Sequence, residues 1–270
     1  MTIVLFTFLR PNGRIILAER GYVKTVEKKQ FRVKIHTQYE ENWNMKTTFI
    51  VVSCVQSPDT RLVTLREPGW AIYGSKTEQL PPLNHTLTVF LQSWKYFFPV
   101  EDRLRVDFSF QPEILDRARR FVDAATPLEW RGRDFLKVLI HVRRGDYNTV
   151  GQRSFGWSEA EPDYFNRSMA YYSACHPRVL FVVLSNDVRW CRRNVVGDHV
   201  VYSTRKSPTV DMAVASLCDH AIITIGSFSW WAAWFAGGVT VTQKNFPTPK
   251  SPLLLKLSRR DYYKPQWVAF

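Results

Sequence analysis

The segment His141-Val142-Arg143-Arg144-Gly145-Asp146-Tyr147 gathers groups suited to holding an anion. Arginine carries a permanent charge on a planar fork that matches two phosphate oxygens at once. Gly145 permits a sharp turn or a close backbone approach to a ligand. Asp146 can hold one arginine in place or cap a turn. An arginine pair alone is also compatible with ordinary solvated surface at a strand end. A second segment, Gly226-Ser227-Phe228-Ser229, precedes a helical stretch. Its small residues leave backbone N–H groups and hydroxyls open to the same anion, helped by the helix dipole. The plainer reading is a simple N-cap.

These segments need elements to position them. Residues 136–142 form a short β-branched run and 179–184 a continuous apolar one, as in buried strands. Brief strands are predicted at 200–202, 221–225 and 239–242. Helices are predicted at 162–174, from the cap Ser185-Asn186-Asp187 through Asn194, at 210–217, and at 230–236 before Gly237-Gly238. Strict alternation of strand and helix predicts an α/β fold with a parallel, doubly wound sheet. Ligands bind such sheets at the carboxyl ends of the strands. The loops at 141–147, 185–187 and 226–229 all belong there. Trp230, Trp231 and Trp234 are spaced for core packing more than for a carbohydrate platform.

The first half reads less evenly. Strands are expected at 3–9, 31–37, 47–55 and 60–65, with a turn at Pro11-Asn12-Gly13. A helix is expected at 86–98, stopped by Pro99, and another at 112–124, opened by Pro112.

Composition narrows the function classes. The chain has 270 residues, 45% of them hydrophobic and 14% aromatic, which is enough for a sizeable core. A net charge of +13 fits an anionic partner. Nucleic-acid binding is one such reading. The charge is scattered, however, without a long basic tract, a zinc-finger pattern or an RNP signature, so no nucleic acid is expected. Cys54, Cys175, Cys191 and Cys218 include no C-x-x-C pair, so no structural metal is expected; two disulfides or four buried thiols both remain open. Asn84 and Asn166 open glycosylation sequons. His199 and His220 lack ligand-spaced partners. P-loop, H-E-x-x-H, G-x-S-x-G and G-x-G-x-x-G patterns are absent.

Five blocks taken together resemble the animal galactoside α-1,2-fucosyltransferases. They are Leu91-Gln92-Ser93-Trp94-Lys95-Tyr96-Phe97, the segment His141–Tyr147, Phe181-Val182-Val183-Leu184-Ser185-Asn186, Trp190-Cys191-Arg192, and Thr224 through Ala233. The resemblance covers roughly residues 86–270, and its first arginine block is shared with the wider fucosyltransferase superfamily. It implies a GT-B-like glycosyltransferase with a C-terminal Rossmann-like donor domain. Residues 129–270 would be that domain, and 1–128 an incomplete acceptor-side region. It implies GDP-fucose as donor and the 2-hydroxyl of a terminal β-galactoside on glycoproteins or glycolipids as acceptor. Transfer would invert the anomeric centre without a metal or other cofactor. The location would be the Golgi membrane, on the luminal side, behind an N-terminal anchor.

Carried over residue by residue, Arg143 and Arg144 would bind the diphosphate and stabilise the charge growing on the leaving GDP. His141 and Asp146 would shape that loop. Ser185, Asn186 and Asp187 would line the nucleoside side, and Asp211 would accept from guanine or ribose. Gly226, Ser227, Phe228 and Ser229 would meet phosphate or fucose. No general base is assigned; Asp163 is one candidate, from its place near the donor loop. The chain departs from the family at its start. A Gly-rich G-x-x-G-N-Q segment and the membrane anchor are missing, and the sequence opens about where that segment would end, near Arg10-Pro11-Asn12-Gly13-Arg14. An N-terminally truncated enzyme is therefore expected. The alternative is a catalytically dead member that only binds GDP-sugar or glycan.

Overall fold

The computed structural model describes residues 92–203 and 207–270, together with Gly69, residues 71–74 and six strands nearer the N-terminus. The chain divides into two compact units, one of residues 1–109 and 255–264, the other of 110–254 and 265–270.

In the first unit, strands β1 (Thr7–Leu9), β2 (Arg14–Glu19), β3 (Tyr22–Glu27) and β6 (Thr86–Thr88) form an antiparallel sheet in that order. β4 (Arg32–Thr37) and β5 (Thr48–Ser53) pair as a separate antiparallel ribbon. Two 3₁₀ turns, Trp94–Tyr96 and Phe98–Val100, lead into helix α1 (Glu101–Asp107). Where a helix is expected at 86–98, the described residues form a strand at Thr86–Thr88 and 3₁₀ turns from Trp94 onward. Thr86 and Thr88 are β-branched, and the tripeptide pairs with β3 instead. Pro99 does not stop a helix either. It lies in the turn just before α1, where its fixed φ helps and its missing N–H costs nothing. The strand expected at 60–65 and the turn at Pro11-Asn12-Gly13 lie outside the described residues, as do Cys54 and Asn84. A late segment containing α8 (Arg259–Tyr262) completes the unit. Lys264 Nζ meets both carboxylate oxygens of Glu101 at 2.6 and 2.7 Å, and Lys95 pairs with Asp261 at 2.5 Å.

The second unit carries the parallel sheet predicted from the strand–helix alternation. Its strands are β7 (Leu136–Val142), β8 (Val179–Ser185), β9 (Val200–Tyr202), β10 (His220–Ile223), β11 (Thr240–Thr242) and β12 (Val268–Ala269). They lie in the order β12-β11-β10-β7-β8-β9, every pair parallel. The chain winds outward from β7 to β9, then crosses back to β10 on the other side of β7. β7 and β10 therefore flank the point where strand order reverses.

The helices of this unit are α2 (Pro112–Ala125), α3 (Val150–Phe155), α4 (Pro162–Cys175), α5 (Val188–Asn194), α6 (Pro208–Ala215) and α7 (Ser227–Ala236). Alternate residues of β7 face opposite sides, as the strand period requires. Val138, Ile140 and Val142 join a core with Tyr164, Phe165 and Tyr172 of α4 and Cys191 of α5. The helices α7, α6 and α2 pack in succession from β7 and β10. Trp230, Trp231 and Trp234 are all buried, as their spacing suggested. α7 begins three residues earlier than expected, so Ser227, Phe228 and Ser229 form its first turn and Gly226 is the N-cap.

Two tyrosines of α4 pin the strands beneath. The Tyr172 hydroxyl reaches the Ala221 and Val239 carbonyls at 3.1 and 2.9 Å. The Tyr164 hydroxyl donates to the Ile223 carbonyl at 2.7 Å and lies 3.0 Å from that of Val241. Tyr164→Phe would leave buried strand-end carbonyls short of a donor. It should lower unfolding free energy by about 1–2 kcal/mol in urea denaturation; an unchanged midpoint would show that the hydroxyl contributes nothing.

Candidate active site

Because all strands of the second unit are parallel, the segments that follow β7, β8, β9 and β10 emerge on one edge of the sheet. His141, the second-to-last residue of β7, is 7% exposed. Its Nδ1 lies 2.6 Å from Ser229 Oγ, and the Ser229 hydroxyl donates to the Ile225 carbonyl at 2.8 Å. With that hydrogen committed, Ser229 Oγ must accept from His141. Nδ1 therefore carries the proton and Nε2 keeps a lone pair. Burial, and then the charge of Arg143, hold the imidazole pKa down to about 3, so the ring is neutral. Phe228 lies against it, ring centroids 4.9 Å apart.

Thr224, which follows β10, ties the two strand ends together. The Arg143 N–H donates to Thr224 Oγ1 at 2.8 Å, and the Thr224 N–H and hydroxyl both reach the His141 carbonyl, at 3.1 and 3.3 Å. The two arginines then leave the chain in different directions. The Arg143 guanidinium lies 5.5 Å from the Tyr147 ring, which packs on Trp157 at 4.5 Å. Arg144 turns toward β8 and α5. It lies 3.9 Å from the Trp190 ring centroid, pairs with Glu159 Oε2 through Nη2 at 2.7 Å, and brings Nε to 3.8 Å from Asp187.

The loop backbone is held as firmly. The Arg144 N–H donates to Asn186 Oδ1 at 3.0 Å, and Asn186 Nδ2 donates back to the Arg144 carbonyl at 2.8 Å. The Gly145 N–H donates to Glu159 Oε1 at 3.2 Å. Gly145 and Gly226 both have positive φ, +85° and +98°, which L side chains rarely adopt. Asp146 opens a 3₁₀ turn, Asp146–Asn148. No side chain caps α7, so an anion there would meet first-turn N–H groups at the positive end of the helix.

The other expected residues fall into two groups. The Ser185 hydroxyl donates to the Val142 carbonyl at 2.8 Å, and Asp187 caps α5 by accepting from the Trp190 N–H at 3.0 Å. Both stand at the edge and brace it. Asp211, on the first turn of α6, accepts from the Ser203 hydroxyl at 2.8 Å at the end of β9. Asp163 is not brought into this cluster of contacts; its exposed carboxylate pairs with Arg167 at 2.8 Å on α4. Asn166 is exposed on the same helix, while Ser168 of its sequon is fully buried and donates to the Tyr164 carbonyl at 2.6 Å. His199 rests on Trp130, and His220 Nδ1 accepts from the Val239 N–H at 3.0 Å. Cys175, Cys191 and Cys218 are free thiols. Among the described residues no three His, Cys, Asp or Glu side chains come together as a metal site. Sequence reading missed Glu159 and Thr224. The one signal for Glu159 was an acidic pair, Glu159 and Glu161, following a basic loop.

The neutral His141 makes stability depend on pH. Its folded pKa lies below the ordinary value of 6.5, so the unfolded chain takes up the proton first. The contribution is complete above about pH 6.5 and is lost as pH falls toward 3, at up to about 1.4 kcal/mol per unit. Asn at this position offers a donor near Nδ1 and does not titrate. Urea unfolding of His141→Asn should show a shallower loss between pH 6.5 and 4 than the parent protein; parallel curves would contradict a buried neutral ring.

The geometry can be set beside known proteins. Residues 71–270 match the family described as glycosyl transferase family 11. Galactoside alpha-(1,2)-fucosyltransferase 1 of Bos taurus is 33% identical over 188 residues, covering 68% of this chain and 52% of its own length. Galactoside 2-alpha-L-fucosyltransferase SEC1 of Bos taurus is 29% identical over 237 residues, covering 83% and 64%. The chain thus spans about half the length of the first relative and under two thirds of the second. A solved structure, Thermosulfurimonas dismutans KpsC, beta Kdo 2,4 transferase, overlaps 53% of this chain and 48% of its own only loosely, at 15% identity and a TM-score of 0.31. With its arginine loop and α7 both inside the matched region, the chain belongs to glycosyl transferase family 11.

Proposed function

We propose that the protein transfers L-fucose from GDP-fucose to the 2-hydroxyl of a terminal β-galactoside on glycoproteins or glycolipids, with inversion and without a metal. One observation carries this reading. The loop after β7, bearing Arg143, and the uncapped first turn of α7 are tied together through Thr224 and Ser229 at the point where strand order reverses. Ligands of doubly wound sheets bind at that crevice. The strand order supports reading the second unit, which holds most of residues 129–270, as the Rossmann-like donor domain of a GT-B-like enzyme, with the first unit on the acceptor side.

In this reading Arg143 and the α7 N–H groups take the diphosphate. They stabilise the charge that grows on GDP as the fucose bond breaks, the work a divalent cation does elsewhere. Asp211, at the β9 end, accepts from guanine or ribose. The names of the relatives support the sugar and the acceptor. The Golgi lumen and a membrane anchor belong to the same proposal; among the described residues no helix is long and apolar enough to cross a membrane.

The test is GDP release and fucose transfer with GDP-fucose and lactose. Transfer should persist in EDTA. Arg143→Ala should raise the dissociation constant for GDP by the equivalent of roughly 2–4 kcal/mol in calorimetric titration. Unchanged affinity would remove Arg143 from the phosphate site. Saturable GDP binding with no transfer would favour the binding-only reading.

A further inference from the structure

Glu159 touches the donor loop twice, and nothing in the proposed chemistry accounts for it. It lies eighteen residues beyond His141 in sequence, between α3 and α4. Its side chain is only 12% exposed. One carboxylate oxygen meets Arg144 Nη2 at 2.7 Å and the other accepts the Gly145 N–H at 3.2 Å. Arg144 lies against the Trp190 face, with Asp187 3.8 Å from its Nε and too far to accept a hydrogen bond, and Asn186 holds its backbone. A short, shielded ion pair of this kind fixes direction as well as charge. Two neighbouring guanidinium groups repel each other, and an unmatched pair would spread. The carboxylate cancels one of the charges and draws that side chain toward β8.

We propose that Glu159 is a positioning residue that acts through Arg144: it locks Arg144 in place and, by holding the Gly145 N–H as well, sets the loop from which Arg143 reaches the donor. The inference rests on the donor-site reading above. Arg144 is then also a positioning residue, and Glu159 matters to donor affinity without touching the donor.

A double-mutant cycle separates this from a merely structural role. GDP is titrated calorimetrically onto the full chain, onto Glu159→Gln and Arg144→Met, and onto the double variant. Glu159→Gln keeps the size of the side chain and an acceptor for Gly145. Each single variant should weaken GDP about tenfold, the scale of one charge-assisted contact. The double variant should be no weaker than either, because one ion pair is lost in all three. The KM for the acceptor should not move. Losses that multiply to about a hundredfold would show that the residues act independently. Unchanged or tighter GDP binding by Glu159→Gln would show that the carboxylate does not position the loop. If the parent chain binds no GDP, the donor reading falls and this inference with it; a parent that binds beside an indifferent Glu159→Gln sinks only the inference.

Discussion

The parallel pairing of β7 with β10 sets His141 beside Ile223, and the edge described above is built on that register. One residue past it, Thr224 receives the Arg143 N–H and bonds back to the His141 carbonyl. One turn into α7, Ser229 receives the His141 ring. Two segments more than eighty residues apart in sequence are thereby fixed to each other through a few short, buried hydrogen bonds. A one-residue slip of β10 would turn Thr224 away and send its neighbours to the opposite face. The tyrosines of α4 hold β10 from the other side of the sheet through its carbonyls.

On this frame the two arginines have unequal surroundings. Arg143 follows the strand and lies beside the Tyr147 ring. Arg144 is enclosed by Glu159, Asp187 and Trp190. That division keeps a basic loop from repelling itself. It also leaves fewer ways for the loop to rearrange, since Asn186 clamps both backbone groups of Arg144. His141, neutral and with its tautomer fixed by Ser229, contributes shape and a lone pair in place of a third positive charge.

Much of this edge was legible in the sequence because its elements are locally determined. The apolar runs at 136–142 and 179–184 are short and rich in β-branched residues, as buried strands are, and Asp187 caps α5 by a contact three residues long. The doublet Arg143-Arg144 was visible, yet its division was not, since it depends on Glu159, which no periodicity connects to the loop. Thr224 was hidden for the same reason: its partner is 81 residues away. The stretch at 86–98 misled because an aromatic-rich, Gly-free run imitates a helical face. The pairing of Thr86–Thr88 with β3 is a tertiary choice that overrides local pattern. The Gly226–Ser229 segment reads as an N-cap before a helix at 230, but the helix begins at Ser227, because a glycine with φ +98° can supply the entry by itself.

The central claim is that a diphosphate binds where the β7 loop meets the first turn of α7. Amide hydrogen exchange of the full chain, with and without saturating GDP, tests it most directly. The account predicts slowed exchange in peptides covering 142–147 and 226–230, with the opposite edge of the sheet around Asp219 and His220 unchanged. Protection confined to that opposite edge, or to peptides outside both loops, would contradict it.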